Sequence, residues 1–169
     1  GFRAPARAEL AQELLVRLAE DAGEDDHPLL YRDAGQDAVA QPAHIPAGLQ
    51  DFAREALSRA LAQPLVLERA LGEYLTEPKP SVWFEPGDTR VMLEGVRLDR
   101  KSRMMYDAHH IFINGESYRA AGRDATLMRR LADERRLTAR ELVRASDDAL
   151  QLLSSWCDAG WAHVWAGGE

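Results

Sequence analysis

Hydrophobic positions recur at helical spacing in the first half of the chain and alternate at strand spacing in part of the second. Leu10, Leu14 and Leu18 return every four residues, with Ala11, Leu15 and Ala22 widening the stripe. This pattern predicts a helix over 5–22, with Gly23 as a C-cap and GEDDHP ending it. Residues 23–45 carry Gly35 and Pro42, with Pro46 just beyond, and show no period, so they read as a long irregular connection. Over 47–62 the positions Leu49, Phe52, Ala53, Ala56, Leu57, Ala60 and Leu61 follow the i, i+3, i+4, i+7 rule and predict a second helix. Pro64 can open a third, over Leu65–Leu75, because its missing N–H costs nothing in a first turn. That third helix is apolar on more than one face (Leu65, Val66, Leu67, Ala70, Leu71, Tyr74, Leu75). Such a surplus implies burial on two sides, within the chain or against a second copy.

Pro78 and Pro80, in TEPKP, mark a boundary between two parts, 1–77 and 78–169. Beyond it, Val82–Phe84 reads as a short strand ending at Pro86-Gly87, and Arg90–Leu93 with Val96–Leu98 as a small hairpin around Glu94-Gly95. The stretch RMMYDAHHIFINGESYRA, residues 103–120, reads as three strands joined by turns. Its Asn114-Gly115 supplies the positive φ angles of a two-residue hairpin. Three helices follow. The first has Asp124 as its N-cap and runs to about Glu134, with Leu127, Met128 and Leu131 inward. The second starts at Thr138, with Glu141 completing a T-x-x-E capping box. The third runs from Ser146 to before Gly160, with Leu150, Leu153 and Cys157 on one face, and Trp161–Trp165 returns as a last strand. The expected fold class is α+β: a helical region followed by a winged-helix domain with a small antiparallel sheet.

Charge changes the picture of partners. The net charge is −7, with 14 acids against 8 bases in residues 1–80 and 14 against 13 in 81–169. Neither half has the basic excess typical of a nucleic-acid binder. In a helix-turn-helix the second helix reads the groove. Here that helix carries Asp147, Asp148 and Asp158 and no Lys or Arg, so DNA is not an expected partner. One basic cluster stands out, Arg129, Arg130, Arg135, Arg136, Arg140 and Arg144. Of these, Arg129, Arg136, Arg140 and Arg144 are candidates for an anionic partner such as RNA. The plainer reading is a solvated face interleaved with Asp133, Glu134 and Glu141.

The chain has one cysteine, Cys157, so no internal disulfide is available. That fits a cytoplasmic location. No run approaches the ~18 apolar residues of a membrane span. No secretory leader is evident, and the chain starts at Gly1 as though cut from something longer. A non-haem iron site is usually introduced by His-x-Asp or His-x-Glu. The residues two after the five histidines are Leu29, Pro46, Ile111, Phe112 and Trp165, none acidic. His109 and His110 are adjacent, and neighbouring strand residues face opposite ways, so they read as strand entry and not as a chelate. Cys157 has Asp158 beside it, which opposes a reactive thiolate. Trp83, Phe84, Phe112, Tyr118, Trp156, Trp161 and Trp165 sit at positions a core would use.

LTEPKPSVWFEP (75–86), RKSRMMYDAHHIFINGESYRA (100–120) and LLSSWCDAGW (152–161) resemble the C-terminal half of the bacterial JmjC, cupin-like ribosomal oxygenases. The resemblance runs along the whole chain, and the opening GFRAP resembles the exit from that family's catalytic barrel. It implies a longer parent whose barrel binds Fe(II) and 2-oxoglutarate and hydroxylates an arginine of a large-subunit ribosomal protein. It also implies a homodimer built by the middle helices, here through Phe52, Leu57, Leu67, Leu71 and Tyr74. No catalytic, cofactor-binding or metal residue of this chain matches the family's iron triad. The expected function is therefore the non-catalytic dimerisation and winged-helix portion of such an enzyme. The alternatives are a winged-helix DNA-binding regulator and a ribosome-docking adaptor.

Overall fold

The computed structural model of the chain describes residues 5–22, 29–32, 41, 43–87, 94–119 and 121–165. The chain divides into two compact units, Gly1–Ala70 and Leu71–Glu169. The division falls seven residues before the TEPKP boundary and inside a helix, α3 (Val66–Thr76).

The first unit holds α1 (Arg7–Ala22), α2 (Ala47–Ala62) and the start of α3. Among the described residues its buried core is Leu18, Val66 and Ala70, with Leu14 packed against them. Tyr31 meets Phe52 edge-on at 5.6 Å between ring centres. The bounds of α2 are those the periodicity predicts, but its apolar stripe is not inward, for none of its residues is buried. Pro64 does not open α3. Gln63 before it is extended (ψ 128°), as the proline ring demands of its predecessor. Leu65 then turns with φ +66°, so the helix begins only at Val66. Of the irregular connection, residues 29–32, 41 and 43–46 are described and hold no helix or strand. Gly23 and the rest of that connection lie outside the described residues.

The second unit contains two three-stranded antiparallel sheets where the sequence suggested one. The first sheet is β1 (Gly95–Leu98) flanked by β5 (Arg136–Thr138) and β6 (Ala162–Val164). The second is a meander of β2 (Met104–Tyr106), β3 (His110–Ile113) and β4 (Glu116–Arg119). Three helices complete the unit: α4 (Gly122–Glu134), α5 (Ala139–Leu142) and α6 (Asp147–Asp158). All four positions of β3 are buried. Ile111 and Ile113 enter the main core with Val96, Met128, Leu131, Leu153 and Trp156. Phe112 faces α3, where its ring fills the space a Cβ on Gly72 would need. Asn114 (φ 50°) and Gly115 (φ 90°) form the expected tight turn.

Several local expectations change. Val82–Phe84 is extended but joins no sheet. Pro78, Pro80 and Pro86 deprive the segment of donors, and it is held by scattered bonds instead. Val82 N–H turns back to the Lys79 carbonyl at 2.8 Å, Gly87 N–H reaches the Cys157 carbonyl at 3.1 Å, and the Lys101 ammonium donates to the Trp83 carbonyl. Gly160 (φ +74°) sits beneath it, so close that a Cβ there would strike the Glu85 carbonyl. Val96–Leu98 is no hairpin arm but the centre of a sheet; Arg90–Leu93 lies outside the described residues. The strand β5 is unannounced in the sequence, because three residues between two helices leave no room for a period to show. Asp124 is not an N-cap. α4 starts at Gly122 after Ala121, and the Asp124 carboxylate instead accepts the Ser146 N–H and hydroxyl at 3.1 and 2.7 Å. The box at α5 forms as expected, with Glu141 reaching back to the Thr138 N–H at 2.8 Å.

The Gly72–Phe112 contact gives the first prediction. All four tryptophans, at 83, 156, 161 and 165, lie in the second unit, so urea denaturation followed by their fluorescence reports on that unit. Gly72→Ala should lower its stability by about 1–3 kcal/mol, the usual cost of overpacking. A Gly72→Ala protein as stable as the parent would mean the ring has room to move.

Candidate functional site

Five residues were expected to form one apolar surface. Phe52, Leu57 and Leu67 lie in the first unit, and Leu71 and Tyr74 in the second. Leu57 is 68% exposed and Leu67 46%, whereas Phe52, Leu71 and Tyr74 are half-buried. The sequence reading passed over residues that are at least as open. Leu61, one turn after Leu57, is 53% exposed, and Leu15 and Val16 on α1 are exposed too. Their signal was present, since a stripe wider than one face is what a helix with two apolar neighbours carries. Along α2 the arginines pair with carboxylates of the same helix. Arg54 pairs with Asp51 at 2.6 Å and Arg59 with Glu55 at 2.5 Å. What α2 leaves unsatisfied is its hydrocarbon.

The arginine cluster does not form one patch. Arg129 donates to the Asp107 and Ala108 carbonyls at 3.3 and 3.0 Å and lies over the Tyr106 ring, which pins the β2–β3 turn. Arg130 pairs with Glu134 at 3.2 Å and Glu141 at 2.5 Å. Arg135, left-handed at the end of α4, donates to the Asp99 and Ser102 carbonyls at 2.7 and 3.1 Å. Arg136 stacks over the Trp165 ring at 5.1 Å. Arg140 and Arg144 are exposed on and just after α5. Thus Arg129 serves the turn of one sheet while Arg136 lies on the other. The face of α6 that meets solvent is Asp147, Asp148, Gln151, Ser155 and Asp158, and it would repel phosphate.

The titratable groups have structural partners. Asp107 accepts the backbone N–H of His109 and His110 at 2.7 and 2.6 Å and meets the His110 ring at 3.3 Å. Burial works to raise its pKa, but these bonds outweigh it and hold the carboxyl below the usual value. Asp99 is lowered in the same way. Burial pushes it up, and the His163 ring at 2.9 Å, the Lys101 N–H and two nearby positive charges bring it down. The Ser146 hydroxyl and N–H lower Asp124. Cys157 is buried, and burial followed by the Asp158 charge pushes its thiol up to about 11, the setting of an inert thiol. Among the described residues, no three His, Cys, Asp or Glu side chains come together as a metal-holding set. The donor sets present are the pairs Asp107–His110 and Asp99–His163, so the residues do not fit an iron triad. Trp83, expected in a core, is 77% exposed, and Phe84 packs edge-on against Trp161.

A three-stranded sheet with helix, strand, two helices and a returning strand in sequence around it defines a winged-helix protein. The chain belongs to the ROXA-like winged-helix family, whose model matches residues 59–163. Over 96% of its length it is similar in fold to Escherichia coli YcfD, with a TM-score of 0.74 at 21% identity and 45% of that chain covered. It is likewise similar to the E. coli ribosomal oxygenase YcfD (TM-score 0.73, 21% identity, 96% of this chain and 47% of that one). The structure of that oxygenase with cobalt and 2-oxoglutarate matches with a TM-score of 0.71 at 21% identity, again over 96% and 47%. At this identity the likeness shows the fold alone, and the chain spans less than half the length of these relatives. No curated protein matches the sequence.

The lowered carboxylates make a sign-definite prediction. A group whose folded pKa lies below its unfolded value stabilises above the unfolded value and loses that contribution as pH falls through the folded one. Asp124→Ala should cost about 1–2 kcal/mol at pH 7 through its lost bonds to Ser146. The gap from the parent should narrow as pH falls through the folded value of Asp124, which lies below the ordinary 3.8. Urea titrations from pH 7 to pH 3 check it, and a constant gap would mean the charge of Asp124 is not what holds Ser146.

Proposed function

We propose that the chain is the non-catalytic dimerisation and winged-helix portion of a 2-oxoglutarate- and Fe(II)-dependent ribosomal protein hydroxylase. It acts through protein–protein contacts. The observation that carries this reading is α2, a 16-residue amphipathic helix with no buried residue, in a chain of the ROXA-like winged-helix family. Covering a leucine is worth roughly 1.5–3 kcal/mol. A second copy meeting Leu57, Leu61 and Leu67 satisfies the hydrocarbon that one chain leaves in water, and the half-buried Phe52, Leu71 and Tyr74 are further candidates for the contact. The pairing then fixes how a catalytic barrel elsewhere in the longer protein is presented to its ribosomal-protein substrate in the cytoplasm. In this reading iron and 2-oxoglutarate are held by that barrel; among the described residues the pairs Asp107–His110 and Asp99–His163 offer two donors each. Among the described residues no helix is long and apolar enough to cross a membrane. The acidic face of α6 speaks against the reading as a duplex-DNA regulator.

Light scattering at tens of micromolar should return twice the 18.9 kDa of one chain. Leu57→Asp with Leu61→Asp should return the single mass with an unchanged circular dichroism spectrum, because both side chains already stand in solvent in the single chain. The chain supplied with iron and 2-oxoglutarate should turn over no cosubstrate. A wild-type monomer at these concentrations would defeat the dimer reading.

A further inference from the structure

The outward face of the β5-β1-β6 sheet brings two arginines and a histidine into one row. In the ladder, Arg97 stands directly opposite Arg136 on one side and His163 on the other. Residues directly opposite in a ladder point to the same face, so the three side chains share one surface. The other face of the sheet is core, for Val96, Leu98, Leu137 and Ala162 are all buried. Like charges placed opposite each other destabilise a sheet, and here the opposition has no local remedy. Among the described residues Arg97 has neither a hydrogen bond nor an ion pair, and it is exposed. Arg136 has only the Trp165 ring, 5.1 Å away, and it too is exposed. Asp99, two residues after Arg97, is committed to His163 at 2.9 Å and to the Lys101 N–H at 2.8 Å. Trp165 follows the end of β6 and donates its N–H to the Gly95 carbonyl, alongside the position of β1 that has no side chain.

We propose that this sheet face, through Arg97, Arg136 and Trp165, is a binding surface for single-stranded RNA. Two unneutralised guanidiniums in register suit two phosphates. Trp165, half-buried beside the Arg136 guanidinium, leaves part of its ring for an unstacked base, which a duplex does not offer. A duplex would bring its phosphates against α6, the reading helix of this fold, whose first turn is acidic. The chain's net charge of −7 lowers the affinity but does not erase the site, because screening confines each charge to roughly 10 Å at 0.1 M salt. The signal in the sequence was faint: Arg97 lies 39 residues before Arg136, and only the pairing of β1 with β5 brings the two together. The proposal concerns residues outside the helical surface and stands whether or not the chain dimerises.

The test is fluorescence anisotropy of a labelled oligouridylate, about eight nucleotides long, titrated with the full chain at low salt. Saturable binding is expected, with a slope of log K against log salt near −1.4, about 0.7 for each of two phosphates. Arg97→Gln should weaken binding roughly five-fold or more and bring the slope to about −0.7, while leaving the melting temperature unchanged or raised. Trp165→Leu should remove about ten-fold in affinity, together with the quenching of tryptophan emission by the RNA. Absence of saturable binding below ~100 µM, the weak end of non-specific affinity, would overturn the proposal. So would an Arg97→Gln protein that binds as well as the parent. Displacement of the RNA by polyglutamate of matched charge would also overturn it, in favour of an acidic protein segment as the occupant.

Discussion

Thr76 is a hydroxyl with no access to solvent, and the sheet of β2, β3 and β4 is fastened at that point. It donates to the Gly72 carbonyl at 2.8 Å, closing the last turn of α3, and accepts the Gly115 N–H at 3.1 Å from the tip of the β3–β4 turn. A buried hydroxyl used once would leave a lone pair or a proton stranded, and used twice it is satisfied and directional. Around it, Ser117 donates to Glu73 at 2.5 Å and Arg103 to the Glu77 carbonyl at 3.3 Å. Asn114 ties the same turn to the strand entry, accepting the Arg103 N–H at 2.9 Å. These bonds hold α3 over one face of β3 while the main core takes the other. That is why a four-residue strand can be buried throughout. Without the helix, Phe112 would face water.

What the sequence made legible follows from how locally each feature is encoded. The bounds of α2, the Asn114-Gly115 turn, the Thr138–Glu141 box and the Ser146 start of α6 each depend on residues within four positions of one another. Features that depend on distant partners were not legible. β5 is a strand only because β1 lies beside it. Asp124 looks like a cap until Ser146, twenty-two residues on, claims its carboxylate. Val82–Phe84 has strand-forming residues, yet its prolines leave it nothing to pair with. The candidate surface was legible in kind and not in membership. Excess hydrocarbon on the helices was plain from composition, but which leucines are left in water depends on the tertiary fold. Thus Leu61 was missed, and Tyr74 is more covered than its pattern suggested.

The second unit has the shape of a DNA reader and a different distribution of charge. Its reading helix is acidic outward, while some of its cations brace the fold, as Arg129 and Arg135 do, and others stand on a sheet, as Arg97 and Arg136 do. Fold and function separate at this point. The packing that makes a winged helix constrains the inward side chains only. The outward ones are free to be reassigned, and here the uncompensated positive charge lies on β1 and β5.

Gly160 holds no ligand and takes part in no chemistry, yet it constrains two parts of the chain at once. Its positive φ turns the chain from α6 into β6, and its bare Cα lets the proline-rich segment lie against that corner at Glu85. Any side chain would meet a backbone atom and a disfavoured dihedral together, two penalties with no single remedy. In a comparison across many related sequences, such a position would look as invariant as a catalytic residue. Its invariance would record how two segments share one corner.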